Sequence, residues 1–382
     1  MKSVYFDNAA TTCLRPEVVE VMSDVLSNCY GNPSSTHGFG RQAKSHIENA
    51  RKTIAESLGA APSEIVFTSG GTEADNQILR AAVRDLGVKR IISSKIEHHA
   101  VTHTIDQLCE EYNLTVHFVN LLENGEIDVD HLKNLLESDS ELTLVSLMHI
   151  NNEIGVKIDL NLVAELCKAH GAYFHSDTVQ TIGHYNVDVN KTPVDFLVAS
   201  AHKFHGPKGV GFAFVRKNSK LKPLIFGGSQ ERGHRAGTES VHNIVGMAKA
   251  LEISLEKLDY ESQHITQLKT HFVNRLKSEL PGVMFNGDSD RSEKSTYTLI
   301  NVRLPVSAEK APLLLFQLDI KGIACSKGSA CQSGSDMGSH VLSAILSGGE
   351  LAKPSLCFSF SAMNTIAEVD YAVDVIKEFV LV

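Results

Sequence analysis

An α/β fold with a mainly parallel seven-stranded sheet is what this sequence predicts, and three observations carry that reading. Short apolar runs alternate with helix-period stretches from about Ile65 to Val215, the order of a parallel sheet built through crossover helices. Chemistry-bearing residues fall just after several of those runs, where open α/β sheets bind ligands. The chain of 382 residues is long enough for two or three domains, which leaves room for a second, smaller region beyond the sheet.

The expected strands, in order, are Ile65-Val66-Phe67, Ile91-Ile92, Val116-His117-Phe118, Leu144 to Leu147, Ala172 to Phe174, Phe196 to Val198 and Gly211 to Phe214. Each is a short β-branched or aromatic run bounded by turn residues, as strands buried on both faces are. From about Ile244 the periodicity predicts one long amphipathic helix leading into the smaller α+β region. That region carries strands near Leu299 to Val302 and Leu356 to Phe360, and a closing helix from Ile366 to Phe379. The sequence shows no internal repeat and no low-complexity tract.

Composition narrows the function classes. A net charge of −9 without any basic run argues against nucleic-acid binding. The N-terminus lacks the apolar stretch of a signal peptide, and no segment approaches membrane-spanning length. Seven unevenly spaced cysteines form no disulfide framework, which points to a reducing, cytoplasmic setting.

Lys203 is the first candidate for chemistry. It follows the strand at Phe196, sits in Ser200-Ala201-His202-Lys203, and precedes the turn Gly206-Pro207-Lys208-Gly209. A lysine so placed is suited to a Schiff base with a carbonyl cofactor. Asp177 lies 26 residues upstream, at the end of another apolar run. Pyridoxal 5'-phosphate needs both groups, an amine for its aldehyde and a carboxylate to keep its pyridine nitrogen protonated. Gln180 is within reach of the ring's phenolic oxygen. The phosphate would be held by Thr68-Ser69-Gly70-Gly71-Thr72-Glu73, a strand-to-helix turn whose glycines let backbone amides approach an anion. No Lys-Ser/Thr pair follows at nucleotide P-loop spacing. His99 and His103, four apart, and the pair His202 and His205 invite a zinc reading. No glutamate lies between the first two and no ligand cluster completes a site, so no metal is expected.

Further strings join these. Phe6-Asp7-Asn8-Ala9-Ala10-Thr11-Thr12, Gly31 to Ser35, Glu97-His98-His99-Ala100, Asn151 to Gly155, Arg232 to Thr238 and Gly328-Ser329-Ala330-Cys331 flank the lysine, aspartate and glycine motifs in a fixed order. In that order, from about residue 4 to the C-terminus, the chain resembles the cysteine desulfurases, class V aminotransferase-group enzymes of pyridoxal phosphate fold type I. The resemblance implies a homodimer that converts L-cysteine to L-alanine, leaves a persulfide on an enzyme cysteine, and passes sulfur to an iron-sulfur scaffold or another acceptor. The division it suggests is residues 1–15 joining the small domain, 16–245 as the large cofactor domain, and 246–382 as the small C-terminal domain.

Carried over residue by residue, the resemblance gives Lys203 the cofactor aldehyde, Asp177 the pyridine nitrogen and Gln180 the ring hydroxyl. His98 would stack on the ring and take part in catalysis. Gly71, Thr72, Ser200 and His202 would hold the phosphate, Asn152 would lie beside the ring hydroxyl, and Thr238 would reach the phosphate of the partner subunit. Asn8, Asn152 and the residue at position 357 would face substrate. Cys331 would be the sulfur-accepting thiol, in a Gly- and Ser-rich loop nearly free of packing residues. Cys325 stands where the family usually has a small or polar residue.

One departure stands out. The family's Arg-x-Ser pattern near the C-terminus is Cys357-Phe358-Ser359 here, so a thiol occupies the position of the arginine that clamps the substrate α-carboxylate. Lys353 and Arg235 are candidate substitutes. The departure keeps two other expectations open: a lyase of the same group acting on selenocysteine or cysteine sulfinate, and a cofactor-binding protein with lost or altered catalysis.

Overall fold

The computed structural model describes residues 3–217, 219, 221–307, 310–327 and 338–381. After a short strand β1 (Val4–Tyr5) come helices α1 (Pro16–Asn28) and α2 (Gly38–Leu58). The central elements follow as β2 (Ile65–Thr68), α3 (Gly71–Leu86), β3 (Arg90–Ser93), α4 (His99–Glu111), β4 (Thr115–Phe118), α5 (Val129–Glu137), β5 (Thr143–Ser146), α6 (Leu160–Ala169), β6 (Tyr173–Asp177), β7 (Phe196–Ser200) and β8 (Gly211–Val215). Helix α2 starts where His37 Nδ1 accepts from the Gly40 N–H, and stops at Gly59 in the left-handed conformation, φ 68°.

All seven expected strands are present, in the order β2-β8-β7-β6-β5-β3-β4. Only β8 runs antiparallel to its neighbours; the other pairings are parallel. Residues of α1, α2, α5, α6 and α7 (Val241–Glu256) pack with one face of the sheet. Those of α3 and α4 pack with the other, which explains why the strands lack polar alternation, apart from the half-exposed edge strand β4.

The smaller unit contains α8 (Leu258–Glu279), β9 (Met284–Phe285), β10 (Leu299–Arg303), α9 (Ala311–Ile320), β11 (Ile323–Ala324), α10 (His340–Ile345), β12 (Ser355–Ser359) and α11 (Ile366–Leu381). Its antiparallel sheet has the order β12-β10-β9, and β1 pairs in parallel with β11. Val4 and Phe6 sit in the small core, so the chain's first described residues cross over to its last third.

The single long helix expected from Ile244 is two. Lys257, at φ −99° and ψ 5°, ends α7 and begins α8. The break has a packing cause. Ile244, Met247, Ala248 and Leu251 face the large core, whereas Ile265, Leu268, Phe272 and Leu276 face the small one, so the two apolar stripes point to different cores. The expected division at 245/246 falls inside α7. Among the described residues no helix is long and apolar enough to cross a membrane.

Candidate active site

A cleft opens at the C-terminal ends of β2, β6 and β7. Its lining includes Gly71, Thr72, His98, Asn152, Asp177, Gln180, Ser200, His202 and Lys203. Lys203 ends a single 3-10 turn directly after β7. That turn is closed by the Gly206 N–H donating to Ala201 O, and His205 takes a left-handed φ of 66° to reverse the chain. The Lys203 ammonium donates to the carbonyls of Ala9 (2.6 Å) and Ala10 (2.9 Å), so the N-terminal segment lies against it.

Asp177 closes β6. One carboxylate oxygen accepts from the Val179 N–H at 2.9 Å. Burial raises its pKa to about 6, against the opposing pull of that N–H and of the Lys203 charge. The Gln180 amide donates to Ala9 O at 3.0 Å, which leaves its oxygen uncommitted to that contact. His98 is the N-cap of α4: its Nδ1 accepts from the Ala100 N–H at 3.1 Å. Burial first, then the charges of Lys203, His340 and His103, lowers its pKa to about 4, so the ring is neutral. Asn151 folds the neighbouring turn, its oxygen accepting from the N–H groups of Glu153 and Ile154, and Asn152 then lines the cleft.

The glycine turn has the form its sequence suggested. Gly70 adopts φ 153°, and a Cβ on Gly71 would lie 2.7 Å from Val179 Cγ2. The first-turn amides of α3 have no acceptor within the helix. Glu73 accepts from the Ser69 N–H at 2.7 Å and pairs with Arg235 at 2.9 Å. Ser200 and His202 complete this end of the cleft, and His202 Nδ1 is buried without a partner.

Other expected site residues lie elsewhere. Asn8 is buried beside the cleft, where its amide donates to Ser359 O (2.8 Å) and Asn364 Oδ1 (3.3 Å). Thr238 is exposed and does not line the cleft of its own chain. Cys357 is 2% exposed on β12, opposite Asn301, with its thiol against Ser326. Burial, then Asp7 and Glu153, pushes that thiol far above the usual range. Cys325 is pushed up in the same way, by burial and then Asp7 and Asp319. Neither proposed substitute for the arginine reaches the cleft: Arg235 is engaged by Glu73, and Lys353 pairs with Glu350 at 2.6 Å. Cys331 and the Gly328-Ser329-Ala330 string lie outside the described residues.

Several lining residues have no role in the sequence reading: Asp75, Met148, Glu153, Ser326 and His340. Asp75 carried a signal, because it follows Gly71 by one helical turn and therefore shares its face. Ser326 and His340 carried none, since both arrive from the small unit through tertiary packing. The His99 ring stacks on His103 (centroids 4.5 Å apart) and lies 4.3 Å from His340. Among the described residues no three His, Cys, Asp or Glu side chains are grouped to hold a metal ion.

Comparison with known proteins gives a consistent result. The profile of the family described as aminotransferase class-V matches residues 4–372. A cysteine desulfurase IscS of Dictyoglomus turgidum is 41% identical over 381 residues, covering 99% of this chain and 95% of its own. A putative cysteine desulfurase IscS 1 of Bacillus subtilis is 40% identical, covering 99% of each. A solved NifS-like protein superposes with a TM-score of 0.90 at 36% identity, over 99% of both chains. By the match along nearly its whole length, the chain belongs to the class-V aminotransferase family, among its cysteine desulfurases.

Proposed function

We propose that this protein is a pyridoxal 5'-phosphate-dependent cysteine desulfurase that cleaves the carbon-sulfur bond of L-cysteine, releases L-alanine and collects the sulfur as a persulfide on Cys331. The observation that carries the reading is the meeting of Lys203, Asp177 and the glycine turn in one cleft. Enzymes of the family depend on pyridoxal phosphate, and the residues present fit that group. The absence of a Cβ on Gly71 lets the turn pack closely against Val179, its first-turn amides favour an anion, and the buried, unpartnered His202 Nδ1 offers a further polar contact at the same end.

When bound, the cofactor supplies an electron sink for bond cleavage next to an amino-acid α-carbon. In this reading the protein's own contributions are these. Lys203, which donates to the Ala9 and Ala10 carbonyls, would supply the amine for the aldehyde and move protons at the substrate α-carbon. Asp177 offers its negative charge to the pyridine nitrogen, and Gln180 faces the ring hydroxyl. His98, neutral, would cover one face of the ring and exclude water from it. Gly71, Thr72, Ser200 and His202 anchor the phosphate. Cys331, as thiolate, would attack the substrate sulfur, so that an S–S bond forms as the C–S bond breaks and its electron pair stays with the three-carbon fragment, which takes up a proton and leaves as alanine.

The functional unit we propose is a homodimer, with Thr238 reaching the partner subunit's phosphate. The exposed Tyr30–Phe39 pair, ring centroids 5.2 Å apart, and Phe226, 75% exposed, supply apolar surface suited to a second copy. The packing supports a large cofactor domain from residue 16 to about Lys257, and a small domain built from the later residues plus the N-terminal segment. A cytoplasmic setting suits the free thiols of the six described cysteines, and an iron-sulfur scaffold or other thiol-bearing protein is the acceptor we propose.

A second reading has its own observation. Among the described residues lining the cleft there is no arginine, and Cys357 stands in the family's arginine position. Selenocysteine or cysteine sulfinate as the better substrate, or altered catalysis, accords with that. The test is direct. Pyridoxal phosphate should give the protein a visible absorbance band, borohydride should fix the pyridoxyl group on Lys203 by mass spectrometry, and cysteine should yield alanine. Labelling of another lysine would overturn the site, and alanine formation only from the other substrates would select the second reading.

A further inference from the structure

Behind Asp177 lies a second carboxyl group that none of the roles above uses. Asp75 follows Gly71 by one turn of α3, so the two share a helix face. His175 precedes Asp177 by two residues on β6, so those two share a face of the sheet. Asp75 Oδ1 and His175 Nε2 lie 3.3 Å apart, at 1% and 0% side-chain exposure, and both are buried atoms that make no regular hydrogen bond. His175 Nδ1 is 2.9 Å from Ser146 Oγ. The titratable groups that act on Asp75 are the carboxyls of Asp177 and Glu97; burial pushes Glu97 itself well above the usual carboxylate range, so an ionised Asp75 would meet chiefly the like charge of Asp177.

We propose that Asp75 and His175 form a neutral, hydrogen-sharing pair behind Asp177, and that Asp75 is thereby a positioning residue that leaves Asp177 as the negative charge offered to the cofactor ring. This rests on the pyridoxal phosphate reading above. The hydrogen positions are consistent throughout. In the tautomer this proposal assigns, Nδ1–H donates to Ser146 Oγ, so His175 Nε2 accepts and the hydrogen in the 3.3 Å gap comes from the Asp75 carboxyl. Burial, reinforced by Asp177 and Glu97, raises Asp75 well above the usual carboxylate range, and burial holds His175 down to about 3. Asp177 is faced by Asp75 from α3, by Glu97 from the segment after β3, and by Lys203 after β7. Removing the neutral Asp75 partner leaves Asp177 in a drier site, where its charged form is harder to keep.

Two measurements test this. Infrared difference spectroscopy of the cofactor-free protein should show a carboxylic-acid C=O band that disappears in Asp75→Asn. Pyridoxal phosphate affinity, followed across pH by the visible band, should lose its acid limb about one pH unit higher in Asp75→Leu, with Asp75→Asn restoring the wild-type position because the amide still donates to His175. A purely structural role would lower the melting temperature of Asp75→Leu without moving that limb. An unchanged infrared spectrum in Asp75→Asn, or an Asp75→Leu acid limb that stays in place, would overturn the proposal. A wild-type protein that takes up no pyridoxal phosphate at any pH would sink the cofactor reading instead, while the infrared comparison still decides the state of Asp75.

Discussion

Replacing Cys357 by arginine tests how the cleft chooses its substrate. The thiol lies beside Ser326, a cleft-lining residue, and the charges that act on it are those of Asp7 and Glu153. A guanidinium placed there therefore meets acidic neighbours and is not stranded as an unpaired buried charge. Losing a desolvated, charge-assisted pair costs about 2–5 kcal/mol, or roughly 30-fold to several thousandfold in kcat/KM. Because Asp7 and Glu153 compete with substrate for the same fork, the lower half of that range is expected for Cys357→Arg, about 30- to 300-fold in favour of L-cysteine. The gain should fall mainly on KM, since the carboxylate is held in ground and transition states alike. The position is 2% exposed, so the larger side chain also overpacks its surroundings by about 1–3 kcal/mol, which is read separately as a lower melting temperature. The assay is alanine release against cysteine concentration with saturating pyridoxal phosphate, using Cys357→Met as a bulky uncharged control. Efficient turnover by the wild type, with the arginine variant worse than the methionine control, would refute the reasoning and show that the carboxylate is already held by another group.

Cys331→Ser should bind pyridoxal phosphate and respond spectrally to substrate yet form no persulfide, because a hydroxyl does not accept sulfane sulfur; persulfide recovered from that variant would remove Cys331 from the reaction. Gly71→Ala places a Cβ 2.7 Å from Val179 Cγ2, and the resulting shift of the α3 terminus should cost about 1–3 kcal/mol and weaken pyridoxal phosphate binding at least tenfold, as measured by titration of the visible band. Asp177 rises from its ordinary value of 3.8 to about 6 in the cofactor-free protein. Its native form thus holds a proton that the unfolded chain has released, so its contribution to stability is full below about pH 4 and fades as pH climbs through 6. Cofactor binding needs the ionised form and should strengthen over the same interval by up to roughly tenfold per pH unit; an affinity flat between about pH 4 and 7 would exclude Asp177 as the ring partner.

Six strands of the large sheet were legible because each is a compact, largely apolar run buried on both faces; the half-exposed edge strand β4 was legible only from its β-branched and aromatic residues and its bounding turns. Their spatial order was not, since placing β8 between β2 and β7 is a matter of long-range pairing. Lys203, Asp177 and Gly71 were found by local context, each at the end of a strand. Asp75 and His175 were overlooked because polar side chains within an amphipathic helix and an apolar strand look incidental until their elements are packed together. The separation of α7 from α8 was hidden for a related reason, since neither proline nor glycine marks the break at Lys257 and only the directions of the two cores require it.

The crossing of the N-terminal segment has a consequence for how the molecule is made. Val4 pairs with Ile323 and Asp7 with Ser359, contacts more than 300 positions apart, and the next residues supply the carbonyls that hold the Lys203 amine. On the ribosome, the first residues emerge long before their partners, and closing so wide a loop gains nothing until those partners exist. The central sheet can assemble during synthesis, but the lysine acquires its final surroundings only after the strands near 323 and 359 have been made and have captured the N-terminus. Completing the surroundings of the catalytic amine thereby requires the strands near 323 and 359, and a fragment that ends before them would lack those partners of the N-terminal segment.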